Sequence, residues 1–298
     1  MDTPTAAKLR ALTRDLYDQA ALSFSDTRAS AWPGWQRVLD AWPGWQRDTQ
    51  RACPEHPIRV LDIACGNLRF ERFLAEAAPD AVFDAHCVDA CTSLACDAAL
   101  NVPDNVCIHF HPTDVLEALE ASETVTPHDA AHRPCQTVTP SPFRATPPET
   151  LFDICVAFGF MHHIPLPAWR AQLLQALVNR TREGGMIAVS FWQFLHDARL
   201  AEKAADVTRC GCQRHNLVFD DAHDKLLSWQ DRADLFRYCH HFSDDEVDQL
   251  VTGVSGARVL GRFNADGRAA LNRYVVLQRT GAGQSDTSVR YASSPSSS

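Results

Sequence analysis

The sequence predicts an α/β fold: a doubly wound, seven-stranded, mostly parallel sheet with helices on both faces. Three observations predict it. A buried strand, a tight small-residue turn and a helix start follow one another at Val60–Leu74, VLDIACGNLRFERFL. Short apolar runs then alternate with stretches of helical spacing as far as residue 192, the pattern of βαβ units. Two final strand-like runs, Arg258–Phe263 and Asn272–Gln278, flank a turn at Asn264–Gly267 and read as an antiparallel pair.

The chain has 298 residues, 45% apolar and 22% charged, enough for one large α/β domain with additions. Residues 1–57 read as a helical, Trp-rich cap, 58–279 as the sheet domain, and 280–298 as a Gly- and Ser-rich disordered tail. Net charge is −9, which disfavours a broad electrostatic footprint on nucleic acid. Eleven cysteines is a high and odd count with irregular spacing, and Cys65, Cys87, Cys107 and Cys155 sit in or beside apolar runs as small hydrophobes. No apolar signal core opens the chain and nothing approaches a membrane span. Reduced thiols and a cytoplasmic location are expected.

Leu9, Leu12, Leu16 and Ala20 form one stripe of a helix over 5–24. AWPGWQR then occurs twice, at 31–37 and 41–47. Two readings stay open for it: aromatics packed over the sheet edge, or a substrate lid, because Trp faces stack on bases and apolar ligands. In the turn after the first strand, Ala64, Gly66 and Asn67 let the backbone approach a ligand closely. The second strand, Phe83–Val88, ends at Asp89, where a carboxylate can grip a ribose diol. Asp114 follows the third strand, Asn105–Phe110. On its own it reads as the N-cap of a helix over 115–121.

Residues 122–150 hold six prolines and no apolar periodicity, and read as a surface insertion. The fourth strand, Phe152–Phe158, leads to Gly159 and Met161-His162-His163. A helix over Pro167–Arg180, a turn at Gly184-Gly185 and a fifth strand over 186–192 complete the second half. Leu195–Val207 is expected to be helical. Cys210-Gly211-Cys212 with His215 has close spacing but no matched second pair, so no metal is expected there. Ser243 with three acidic residues after it caps a further helix.

The turn Asp62-x-Ala64-x-Gly66-x-Leu68 resembles motif I of the class I S-adenosylmethionine (SAM) dependent methyltransferases, D/E-x-G-x-G-x-G, with Ala64 and Leu68 at two glycine positions. The likeness covers about 58–279 and implies that superfamily's Rossmann-like sheet. Within it the chain is most similar to tRNA carboxymethyluridine methyltransferases. Four stretches carry that: Tyr17…Phe24-Ser25-x-Thr27-Arg28…Trp32, Cys65-Gly66-Asn67, Met161-His162-His163-Ile164, and Ser190–Phe194 together with Arg237–Phe242. The altered motif I and the Pro-rich insertion depart from the pattern. The resemblance implies SAM as cofactor. Asp62, Ala64, Gly66 and Asn67 would line its methionine end, Asp89 its ribose, and Asp114 and Val115 its adenine. Phe158 and Gly159 would flank the sulfonium, and Arg28, His162, His163 and Trp192 would face the acceptor.

A carboxylate acceptor is ionised at pH 7 and needs no base, and Arg28 would clamp it. A phenol, amine or carbon acceptor would use His162 or His163. One of these two histidines is expected in the cleft and one in packing. Of Tyr238, His240 and His241, two are expected to pack and one to roof the site. The acceptor is either a modified tRNA wobble uridine or a small acid or metabolite. A non-catalytic SAM-binding protein is the third reading, because Leu68 departs from the glycine pattern. Arg28, Arg37, Arg47 and Arg51, interleaved with Trp, are the local case for RNA, and a partner subunit would add basic surface.

Overall fold

The structure is a computed structural model. It describes residues 1–28, 30–99, 101–123, 146–147, 149–230 and 232–281. Most of the 122–150 insertion and all of the tail past residue 281 lie outside the described residues.

Three helices come first: α1 (Thr3–Asp26), α2 (Pro33–Ala41) and α3 (Trp45–Arg51). Asp2 caps α1 by accepting from Thr5 N, and Pro33 takes the first turn of α2, where its missing N–H costs nothing. Then follow β1 (Ile58–Ile63), α4 (Arg69–Ala77), β2 (Phe83–Asp89), α5 (Thr92–Ala99), β3 (Val106–Pro112), α6 (Val115–Glu123) and β4 (Phe152–Ala157). The second half continues with α7 (Pro167–Arg180), β5 (Thr181–Trp192), α8 (Ala198–His215), β6 (Asp224–Trp229), β7 (Arg232–His240), α9 (Asp244–Thr252), β8 (Ala257–Ala265) and β9 (Asn272–Arg279).

Seven strands form one sheet in the order β3-β2-β1-β4-β5-β9-β8, with β6 and β7 in a separate hairpin. The first five are parallel, and β9 runs antiparallel to both neighbours. Strand order reverses between β1 and β4. In an open α/β sheet the crevice at that switch point, outside the carboxyl ends, is where ligands bind. One core lies under α6, α7 and α9, around Leu61, Trp169 and Val247. The opposite core joins β1, β2 and β4 to α2 and α4, around Trp35, Val60 and Phe70. A third cluster ties Leu9 of α1 to Leu226 and Phe236 of the β6–β7 hairpin. The helical N-terminus is thereby held with that hairpin and α8.

Two local expectations change. Gly184-Gly185 is not a turn, because β5 starts directly after α7 at Thr181. Phe152 pairs with Thr181 and Ile154 with Met186, so residues 182–185 bulge out of the ladder. Gly184 has φ 76°, and a Cβ on Gly185 would meet Thr181 Cγ2 at 2.7 Å and Asp153 O at 2.9 Å, so glycine permits the bulge. Second, the helix expected over 195–207 begins at Ala198 and runs on to His215 through Cys210-Gly211-Cys212. Gly211 lets it approach the hairpin: a Cβ there would meet Leu226 Cδ1 at 2.5 Å. Residues two apart on a helix point about 200° away from each other, so Cys210 and Cys212 do not face one spot.

The duplicated heptapeptide takes two different positions. Trp32 and Trp35 of the first copy line the cavity described below. In the second copy Trp42 is buried and donates its Nε1–H to Gly184 O at 3.1 Å, and Trp45 stacks on Phe83. No helix among the described residues is long and apolar enough to cross a membrane.

Candidate active site

A cavity of about 600 Å3 opens at the switch point, between the carboxyl ends of the sheet and α1. That volume suits a drug-sized ligand or a cofactor with part of a second molecule. All of Asp62, Ala64, Gly66, Asn67, Asp89, Asp114, Val115, Phe158, Gly159, Arg28, His162, His163 and Trp192 line it.

The β1–α4 turn is left-handed three times over: φ is 60° at Ala64, 56° at Gly66 and 54° at Leu68. These are the three positions that the motif fills with glycine, and here Ala64 and Leu68 take left-handed backbone at two of them. Alanine in that region carries about 1–2 kcal/mol of strain. Leu68 carries the same strain but is fully buried in the core under α4. Burial of a leucine outweighs the strain. Ala64→Gly should therefore raise Tm by about 1–3 °C, since lost strain slightly exceeds added chain entropy. Leu68→Gly should lower stability by roughly 2–3 kcal/mol. Thermal denaturation of both variants checks the contrast.

A Cβ on Gly66 would meet nothing within 4 Å, so the turn presents open backbone to the cavity. Asp89 faces it with Oδ2 on Gly66 N at 2.9 Å and Oδ1 on Cys91 N at 2.8 Å. Burial pushes this carboxyl up, and the two N–H donors pull it back. Each oxygen keeps a second lone pair for a hydroxyl. Asp114 caps α6, accepting from Leu116 N at 3.0 Å and Glu117 N at 3.3 Å, and also borders the cavity. The expected helix cap is present.

Beneath the turn, Asp62 and Glu71 are buried as a hydrogen-bonded pair. Burial, then the Glu71 charge, drives Asp62 well above the usual carboxylate range. Burial raises Glu71 as well, and Asp62 also lines the cavity. Asn67 Nδ2 donates to Ser25 Oγ at 3.0 Å and Arg28 O at 3.2 Å, fastening the end of α1 to the turn. Gly159 has φ 68° and donates its N–H to Ser190 Oγ at 2.8 Å. Trp32 closes over it, 3.1 Å from where a Cβ would stand.

The far wall is cationic. Arg28 lies 3.6 Å above the Phe24 ring centroid, and its Nη1 is buried without a partner. Burial lowers its guanidinium to about 10, which leaves it charged at pH 7. Arg237, on β7, donates Nη1–H to Tyr17 Oη at 2.9 Å, and its Nε has no partner. Neither arginine is within ion-pair distance of a carboxylate among the described residues. His163 Nδ1 lies 2.7 Å from Tyr238 O, which only accepts, so Nδ1 carries the proton. Its Nε2 then accepts from Tyr17 Oη at 2.9 Å. His162 Nδ1 is buried without a partner. Burial, with Arg237 and Arg28 nearby, pushes His163 down to about 3, and burial beside His163 takes His162 well below its ordinary value. Both rings are neutral.

Both histidines line the cavity, where one was expected in packing, but only His162 has a free ring nitrogen. Tyr238, His240 and His241 all turn away from it, where one was expected as a roof. Tyr238 and His240 bond to Asp224, and His241 Nδ1 accepts from Leu195 N at 3.1 Å. The residue that sequence reasoning left without a role is Arg237, beside them. Its signal is an arginine inside the apolar run 235–239, on a strand. The basic group expected around the tryptophans is partly engaged internally: Arg37 donates to Asn264 O at 2.9 Å and Arg47 pairs with Asp48.

No protein-family model matches the chain, and no curated protein matches its sequence. Solved structures do share its shape. Magnesium protoporphyrin IX methyltransferase from Synechocystis PCC 6803, bound to SAH, is 11% identical over 91% of this chain and 100% of that one, with a TM-score of 0.54. A SAM-dependent methyltransferase from Methanosarcina mazei is 14% identical over 78% and 96%, with a TM-score of 0.48. The N-methyltransferase NodS from Bradyrhizobium japonicum WM9 is 11% identical over 83% and 94%, with a TM-score of 0.43. The first of these shows that the chain has the class I methyltransferase fold.

Proposed function

We propose that the chain is a SAM-dependent methyltransferase whose acceptor carries a carboxylate. One observation carries the reading: the buried Arg237 and the half-buried Arg28 each bring a buried guanidinium nitrogen without a partner to a single cavity beside an open-backbone turn. Burying a cation costs several kcal/mol unless a partner arrives. A carboxylate between the two arginines is that partner, and the fork geometry of guanidinium suits it.

SAM, when bound, supplies a methyl group on a sulfonium, already activated for displacement. Asp89 would accept from the ribose hydroxyls, and the turn at Ala64–Leu68 would follow the methionine end. Phe158, Gly159 and Trp32 would exclude water around the methyl group. Arg28 and Arg237 orient the acceptor oxygen for in-line attack. A carboxylate needs no deprotonation, which agrees with His163 being held by a carbonyl and a phenol rather than free as a base.

A carboxymethyluridine in tRNA is the second form of such an acceptor. The segment Tyr17–Arg28, which bears the likeness to that family, forms a wall of the cavity. With Arg37 and Arg47 engaged internally, the RNA backbone would be met by other basic groups, on this chain or on a partner subunit.

Calorimetry with SAM comes first, and Asp89→Ala should weaken binding about 100-fold, or roughly 2.7 kcal/mol. Labelled methyl transfer is then assayed on carboxymethyluridine tRNA, small carboxylic acids, phenols and amines. The expected product is an alkali-labile ester. An alkali-stable methyl product alone would overturn the carboxylate, and no binding at millimolar SAM would overturn the enzyme.

A further inference from the structure

A cluster of donor side chains lies on β2 and the edge strand β3, and none of its members lines the cavity. β2 and β3 run parallel, with Asp84 beside Cys107, His86 beside His109 and Val88 beside His111. Side chains alternate along a strand, so Asp84 and His86 share one face with Cys107, His109 and His111. His109 Nε2 lies 2.8 Å from Asp84 Oδ1 and 3.6 Å from Cys107 Sγ. The three donor atoms all fall within 4.8 Å of one another. The His86 ring stacks on His109 and on His111, with centroids 4.8 and 5.1 Å apart, and His86 Nδ1 is 3.0 Å from His111 Nε2.

A simple ion pair uses only Asp84 and His109. It does not account for a thiol aimed at the same ring nitrogen, nor for two further imidazoles stacked alongside. One N–H serves one acceptor well, whereas a cation draws on all three donors at once. β3 is the edge strand of the sheet, Cys107 is exposed, and the His109 side chain is 46% exposed, so an ion has a path in.

We propose that Asp84, Cys107 and His109 bind a divalent transition metal of the zinc class, with the His86–His111 pair packed behind His109 to hold its ring. Mixed sulfur, nitrogen and oxygen donors select such an ion over magnesium or calcium. Donors sharing a tetrahedral zinc stand about 3.3–3.6 Å apart. The Cys107–His109 spacing meets that, and Asp84 needs to withdraw by about half an ångström. The Cys107 thiol gives its proton to solvent as the sulfur–metal bond forms. Solvent completes the coordination. The site is independent of methyl transfer.

The test titrates the full chain, stripped with a chelator, against Zn2+ in competition with a chromophoric chelator, and uses Co2+ as the spectroscopic probe. Wild type should bind one tight equivalent and show a thiolate-to-cobalt charge-transfer band. Cys107→Ser and His109→Gln should each weaken zinc binding at least tenfold, remove or shift that band, and leave SAM binding unchanged. Zinc affinity that survives the double variant would overturn the site. So would a wild-type cobalt complex without the sulfur band, a reading that needs no variant to fold.

Discussion

Arg237→Met should lower kcat/KM for methyl transfer by about 10²–10³-fold while SAM affinity stays within about threefold. Truncating one partner of a buried, hydrogen-bonded charge pair costs about 2–5 kcal/mol, and the middle of that range gives this loss. Methionine keeps much of the side-chain volume between Trp192 and Trp229, whose rings lie 5.8 and 5.9 Å from the guanidinium. The loss would therefore report charge rather than a hole. Arg28→Met should act similarly, and the double variant should lose less than the two single losses combined, because the proposed clamp has both groups hold one carboxylate. Tyr17→Phe removes the hydroxyl between Arg237 and His163 but no charge, so a loss of about tenfold or less is expected. Steady-state kinetics and calorimetry on folded variants check the set. An Arg237→Met enzyme within threefold of wild type would remove the anion clamp from the mechanism. A Tyr17→Phe enzyme that is dead would point instead to an acceptor needing proton removal.

Arg170→Met should destabilise the protein by about 3–5 kcal/mol, a fall in Tm of roughly 10 °C. Arg170 of α7 is 2% exposed. It donates to Ile164 O at 2.9 Å, Pro165 O at 3.2 Å, Tyr238 Oη at 3.1 Å and Glu246 Oε1 at 2.8 Å. Glu246 Oε2 in turn meets His240 Nε2 at 2.9 Å, and His240 Nδ1 meets Asp224 Oδ1 at 2.8 Å. Four elements, α7, α9, β6 and β7, are joined through this one buried chain of charges. Removing its arginine leaves Glu246 Oε1 and the two carbonyls without that donor.

The same chain sets a pH optimum of stability. Burial alone would lower His240, but its bonds to Asp224 and Glu246 win and raise it. Its contribution is complete below the unfolded value, about 6.5, and is lost as pH rises through the folded value. Glu246 goes the other way: burial would raise it, but His240 and Arg170 lower it. Its contribution is complete above the ordinary glutamate value of 4.5 and is lost as pH falls through the folded value. Stability from this cluster should peak between those limits. Tm measured from pH 4 to 9 should fall on the alkaline side in wild type and flatten there in His240→Gln. Equal alkaline slopes in the two proteins would show that the histidine is not charged in the folded state.

The parts of this protein legible in its sequence are those written within a few residues. Apolar runs of five or six followed by helical spacing mark β1 to β4, and α7 runs over the expected Pro167–Arg180. Asp89 and Asp114 are found because a carboxylate directly after a parallel strand stands at the sheet's carboxyl edge. Gly184-Gly185 misleads because glycine marks a bulge as well as a turn, and only the pairing with β4 tells the two apart. Cys210-Gly211-Cys212 looks like a break in a helix. Its glycine serves a close approach to Leu226 that no local pattern reports.

What the sequence by itself determined is the order of strands and helices from β1 to β5 and the place of the small-residue turn after β1. Local propensity and burial periodicity decide these before any long-range contact forms. What only the tertiary structure decided is the chemistry of the far wall. Arg28 and Arg237 lie on α1's end and on β7, Tyr17 and His163 are 146 residues apart, and Thr13 Oγ1 of α1 must accept from Tyr238 N to bring the walls together. A guanidinium becomes a ligand site only when packing strips it of water and of counter-ions. That depends on what surrounds it in space, and neighbours along the chain do not record it.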